Sequence, residues 1–143
     1  MKIIEHDLHD NLYRTHLYLV ICEDPAEWAE WLKKPEIAYT GEQINHSGSE
    51  AAFYRIKPDE SDDCNFNVIF MRRMHIPTLC HELSHFIIYT FDEKSVPISE
   101  ENTEAFAYYF EFWMNTILEE WRELVRQPKQ LPVNNKIIGS GAN

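Results

Sequence analysis

Hydrophobic and polar positions along the chain switch between a period of two and a period near 3.6, and the switches divide it into elements. Residues 1–12 are polar and read as an extended lead-in or a short turn of helix. Tyr13–Cys22 gathers β-branched and aromatic residues and closes in a near-continuous apolar run, the pattern of a strand covered on both faces. Asp24-Pro25-Ala26-Glu27 reads as a helix start, with Asp24 as N-cap and Pro25 in the first position. Trp28, Trp31 and Leu32 give this 24–34 helix an apolar stripe, and Lys33-Lys34-Pro35 ends it. Residues 36–50 read as loop with room for a short strand. Ala51–Lys57 predicts a second strand stopped by Pro58, then an acidic hairpin turn over 59–63. Cys64–Arg72 predicts a third strand, with Phe66, Val68 and Phe70 marking one core face.

The period then lengthens. Pro77 suits the first position of a helix running to about Phe91, because its missing N–H is not needed there. Leu79, Leu83, Phe86, Ile87 and Thr90 form its buried stripe. Asp92–Ser99 is a connector, and Ser99 is positioned to cap a last helix whose first turn carries Glu100 and Glu101. From Ala105 to Trp121 that helix is apolar nearly all round, which predicts burial on most sides. These elements make one domain over residues 1–126, followed by an extended or disordered tail over 127–143.

Within the long helix stands Cys80-His81-Glu82-Leu83-Ser84-His85, an H-E-x-x-H pattern. Helical i, i+4 spacing stacks the two imidazoles on one face, where they can share one metal ion. Glu82 lies about 100° round the helix from His81, a poor position for a ligand and a good one for a general base acting on a metal-activated water. The apolar stripe lies on the side away from the two histidines, so the helix can be buried and still present a ligand pair. A catalytic zinc takes three protein ligands and keeps a fourth position open. Asp92, Glu93, Glu100, Glu101, Glu104 and Glu111 follow the motif as candidates. Glu104, 19 residues beyond His85 and early in the next helix, is the choice, with Glu101 as its replacement and Glu100 a weaker one.

His81-Glu-Leu-Ser-His85 followed by Glu101-Asn-Thr-Glu104-Ala-Phe-Ala-Tyr108 resembles the minimal zincin metallopeptidases of the gluzincin type. More narrowly it is similar to the short zincin-like proteins encoded by phages and prophages, and more distantly to the ImmA/IrrE-type metallopeptidases. The resemblance covers about residues 64–112. It implies an α+β, zincin-like fold with a small three- or four-stranded twisted sheet, a backing helix, the H-E-x-x-H helix and a C-terminal helix carrying the third ligand. It also implies one zinc ion on His81, His85 and Glu104, Glu82 as base, and hydrolysis of a peptide or protein substrate. One departure stands out: Tyr108 occupies the place, four after Glu104, where larger gluzincins carry an Asp that orients a histidine.

Composition narrows the partners. A 44% hydrophobic, 13% aromatic chain of 143 residues has enough apolar material for a core. A net charge of -11 without a basic cluster argues against nucleic acid as a direct partner, since that affinity rests on Lys and Arg meeting phosphate. The longest apolar stretches, such as Phe86-Ile87-Ile88-Tyr89, fall far below membrane-spanning length, so no membrane association is expected. Three cysteines without C-x-x-C spacing, and no apolar leader at the start, point to a cytoplasmic setting, that of the host if the chain is phage-encoded. His6, His9, His16 and His46 read as surface or structural residues. Two other classes compete with the enzyme: a catalytically silent phage structural or host-interaction protein on a zincin scaffold, and an acidic decoy of a nucleic-acid-binding protein.

Overall fold

Four strands and three α-helices make an α+β structure in the computed structural model, which describes residues 3–37, 39, 41, 42, 45–56 and 66–126. The expected acidic turn at 59–63, the neighbouring ends of its two strands and the tail at 127–143 lie outside the described residues. The chain forms two compact units, Met1–Phe110 and Glu111–Asn143. In the second, residues 111–126 are described and are helical. The elements are β1 (Ile4–His9), β2 (His16–Ile21), α1 (Ala26–Leu32), β3 (Ala51–Ile56), β4 (Phe66–Met71), α2 (Ile76–Glu93), a 3-10 turn (Glu100–Asn102) and α3 (Thr103–Arg126). Among the described residues, no helix is long and apolar enough to cross a membrane.

The sheet order is β1-β2-β4-β3, with β2 and β4 parallel and the other two pairings antiparallel. Register assigns the faces. Val20, Phe70 and Ala52 stand side by side, and Phe70 stacks on Trp28 and meets Trp31 edge-on, so α1 covers that face. Leu19, Ile69 and Phe53 point the other way, and Phe53 meets Phe86 of α2. β4 is therefore a central strand, and its Val68, Ile69, Phe70 and Met71 are fully buried. The expectation of a single core face on this strand is corrected: with a helix on each side, both faces are covered.

Helix α1 forms where expected but runs only Ala26–Leu32 rather than 24–34, and Pro25, not Asp24, takes the N-cap place. The Asp24 carboxylate accepts the Ala26 N–H at 3.0 Å, and Trp28, Trp31 and Leu32 are buried. Residues 1–12, expected as an extended lead-in or a short turn of helix, contain strand β1 instead, and the difference has a physical reason. Leu8 is the one buried residue of β1, so side-chain burial hardly marks it; six cross-strand pairs with β2 hold it instead. Helix α2 starts one residue before Pro77 and ends two after Phe91. Its end is a Schellman motif: Val96 N–H bonds Phe91 O at 2.8 Å, Ser95 N–H bonds Asp92 O at 3.2 Å, and Ser95 takes the left-handed φ of 57°. Ser99 makes no side-chain capping bond. The turn after it is 3-10, and Asn102 donates its amide to Pro97 O at 2.6 Å. Helix α3 is also less buried than its composition implies: Tyr109, Trp113 and Ile117 are buried, whereas Tyr108, Phe112 and Val125 are exposed.

A buried carboxylate fastens the β1–β2 turn to α3. Tyr109 Oη donates to Asp10 Oδ2 at 2.6 Å, the Thr15 hydroxyl donates to the same carboxylate, and Tyr13 N–H donates to Oδ1 at 2.7 Å. Burial alone would raise the Asp10 pKa. The hydrogen bonds from Thr15, Tyr109 and the backbone of Tyr13 and Leu12 outweigh it and hold the carboxyl below its ordinary range. A depressed acid stabilises the fold above its unfolded value, about 3.9 for Asp, and that support disappears as pH falls through the folded value. Asp10→Ala is expected to cost about 1–3 kcal/mol at pH 7 by urea denaturation, from the donors left unpaired. The gap to wild type should narrow below about pH 4; a gap independent of pH would count against the carboxylate as its source.

Candidate metal centre

Both motif histidines lie on the exposed side of α2, opposite the stripe of Leu79, Leu83, Phe86, Ile87 and Thr90, all of which are buried as expected. His81 Nε2 and His85 Nε2 are 3.3 Å apart. Two nitrogens on a tetrahedral zinc at 2.0–2.1 Å must sit about 3.3–3.4 Å apart. A hydrogen bond between ring nitrogens is best nearer ~2.9 Å. The spacing therefore fits a shared ion better than a direct bond between the rings.

Glu82 contrasts with its neighbours: its side chain is 11% exposed against 70% for His81, and its Oε2 lies 3.8 Å from His81 Nε2. Burial raises the Glu82 pKa, while the charges of His81 and His85 pull it down; burial prevails. Raised proton affinity suits a carboxylate that must take a proton from water. A cleft of about 420 Å³ opens beside it, lined by Ser49, Glu50 and Ala51 at the start of β3 and by Pro77, Thr78, His81 and Glu82 of α2.

The sheet braces the pair from β3. Phe53 stacks on His85 (6.5 Å, 14°) and on Tyr89 (5.7 Å, 17°). Arg55 pairs with Glu93 at 3.0 Å and donates to Tyr89 O at 3.3 Å. The sequence order, with the third strand of about 64–72 leading straight into the motif helix, makes that strand the expected border of the cleft. The bordering strand is β3, because β4 is enclosed between β2 and β3 and has no free edge.

Glu104 is exposed in the first turn of α3, and Glu100 and Glu101 are exposed in the 3-10 turn before it. Among the described residues, the trio of His, Cys, Asp or Glu whose ligand atoms all lie within 4.8 Å of one another is Asp7, His9 and His16; Glu104 does not join His81 and His85 in such a group. Tyr109 is tied to Asp10, and Tyr108 is 66% exposed. His75 occupies the N-cap position of α2 and bonds the Thr78 hydroxyl at 2.8 Å. Cys80 is half-buried and free. The Asp7, His9 and His16 trio was missed because residues 1–12 were not read as a strand. The signal was there: Asp7 and His9 at i, i+2, with His16 across a short turn.

No protein-family model, curated protein or solved structure matches this chain.

Phe53→Ala tests the brace. It should cost about 1–2 kcal/mol for a half-buried ring and shift the His85 imidazole resonances more than those of His81. Equal shifts at both histidines would show that Phe53 does not position His85.

Proposed function

We propose that the chain is a zinc-dependent metallopeptidase in which His81 and His85 hold the ion, Glu104 completes the ligand set and Glu82 is the general base. One observation carries this reading: two ring nitrogens 3.3 Å apart beside a buried glutamate of raised pKa. Glu104 enters through its place early in the helix after the motif and through the family resemblance, and Glu101 stands behind it. A zinc ion there would supply Lewis acidity and lower the pKa of its water to about 7. Glu82 takes a proton from the attacking water and returns it to the leaving amine. Among the described residues β3 pairs with β4 on one side and with no strand on the other, so its outer edge has backbone groups to offer an extended peptide, and the cleft opens at the start of that strand.

A second reading, a metal-poor binding protein on the same scaffold, is favoured by the place of Glu104 outside the histidine pair. Metal analysis and peptide cleavage separate the two. His81→Ala/His85→Ala should lower bound zinc by one equivalent per chain, and Glu104→Ala should lower it likewise. Glu82→Gln should keep the zinc and lose cleavage by at least about 100-fold, the usual contribution of a general base. Zinc retained in Glu104→Ala moves the third ligand to Glu101. Cleavage unchanged in Glu82→Gln ends the enzyme reading.

A further inference from the structure

The geometry points to a second transition-metal site, formed by Asp7, His9 and His16 on the β1–β2 hairpin and separate from the H-E-x-x-H pair. Asp7 and His9 are two apart on β1, so both side chains leave the sheet on one face. His16 is the direct cross-strand partner of His9, and such pairs bring Cβ atoms to about 4.5–5.5 Å. The three ligand atoms lie within 4.8 Å of one another, with His16 Nε2 facing Asp7 Oδ1 and the two imidazole centroids 5.7 Å apart. An Asp7–His16 ion pair alone would use two of these groups and leave the approach of His9 without a role.

Donor chemistry selects the ion. Two imidazole nitrogens and one carboxylate oxygen suit zinc and its transition-metal neighbours, whereas calcium takes six to eight oxygens. The His16 ring is held edge-on by Tyr18 at 4.3 Å and Phe66 at 5.7 Å, so one ligand is pre-oriented. A cleft of about 370 Å³, lined by His9 and His16 with Asp10, Asn11, Arg14 and Thr15, adjoins the two imidazoles. His16 shares its sheet face with Tyr18, which meets Trp31 of α1, whereas His85 stacks on Phe53 on the α2 face. The two centres are on opposite faces of the sheet.

The site is exchangeable. His16 Nδ1 is buried without a hydrogen-bond partner among the described residues, so an imidazole bound through Nε2 lacks the acceptor that usually fixes its tautomer. Missing partners of that kind typically weaken a metal by 10–100-fold.

Zinc chloride titrated calorimetrically into the His81→Ala/His85→Ala protein should read one equivalent and perturb the His9 and His16 imidazole resonances. His9→Gln in that background should weaken binding at least about tenfold, as loss of one ligand in three. Asp7→Asn, at a side chain 57% exposed, should do the same and replaces His9→Gln if that variant fails to fold. No uptake by the double variant, or affinity unchanged by either substitution, overturns the site. Neither result bears on zinc at His81 and His85, which are absent from the tested protein.

Discussion

Everything in the first unit depends on β4 being enclosed. A strand paired on both edges and apolar on both faces can stay out of water only if each face has its own cover. One face takes the indoles of α1, and the other takes the leucine, phenylalanine and isoleucine stripe of α2. The placement of the motif side chains follows from that second cover. Because Leu79, Leu83, Phe86 and Ile87 fix the rotation of α2 on the sheet, His81 and His85 are turned outward together, and Glu82 is left at the margin where helix meets sheet. Burial of Glu82 and exposure of His81 and His85 are two results of a single helix rotation.

The same margin explains the electrostatics. A carboxylate at the edge of an apolar contact loses hydration, and the two nearby histidines recover only part of it. Asp10 is the opposite case. It is also buried, yet hydroxyl and amide donors surround it and hold its pKa below the ordinary range. The two acids differ in the hydrogen-bond donors around them, and that difference lowers the pKa of one and leaves that of the other raised.

Legibility in the sequence followed the strength of the local signal. Helix α1 was readable because Asp24, Pro25 and the indole spacing all agree, and α2 because its stripe and motif share one period. β1 was not, since an edge strand of polar residues is held by backbone pairing that leaves no hydrophobic pattern. Composition overstated the burial of α3: an aromatic can be exposed, as Tyr108 and Phe112 are, and counting apolar letters cannot say which. The histidine pair was legible because helical spacing alone brings the rings together. Whether a carboxylate 19 residues away, Glu104, reaches the pair depends on how the connector turns, and on cross-helix distances that no local period encodes.

The parallel seam between β2 and β4 also bears on how the chain reaches this structure. β1 with β2 and β3 with β4 are neighbours in sequence, so each pair can close early at small entropic cost. Leu17 meets Asn67 and Ile21 meets Met71, each across 50 residues, with α1 and β3 in between. Non-local pairings of this kind slow folding, because their loop entropy must be lost before any contact rewards it. The two hairpins are thus the natural early units, and their docking along the seam is the natural barrier. Until that docking occurs, β2 and β4 each carry an open apolar edge, so the interval before docking is when an unfinished chain is most exposed to a second copy of itself.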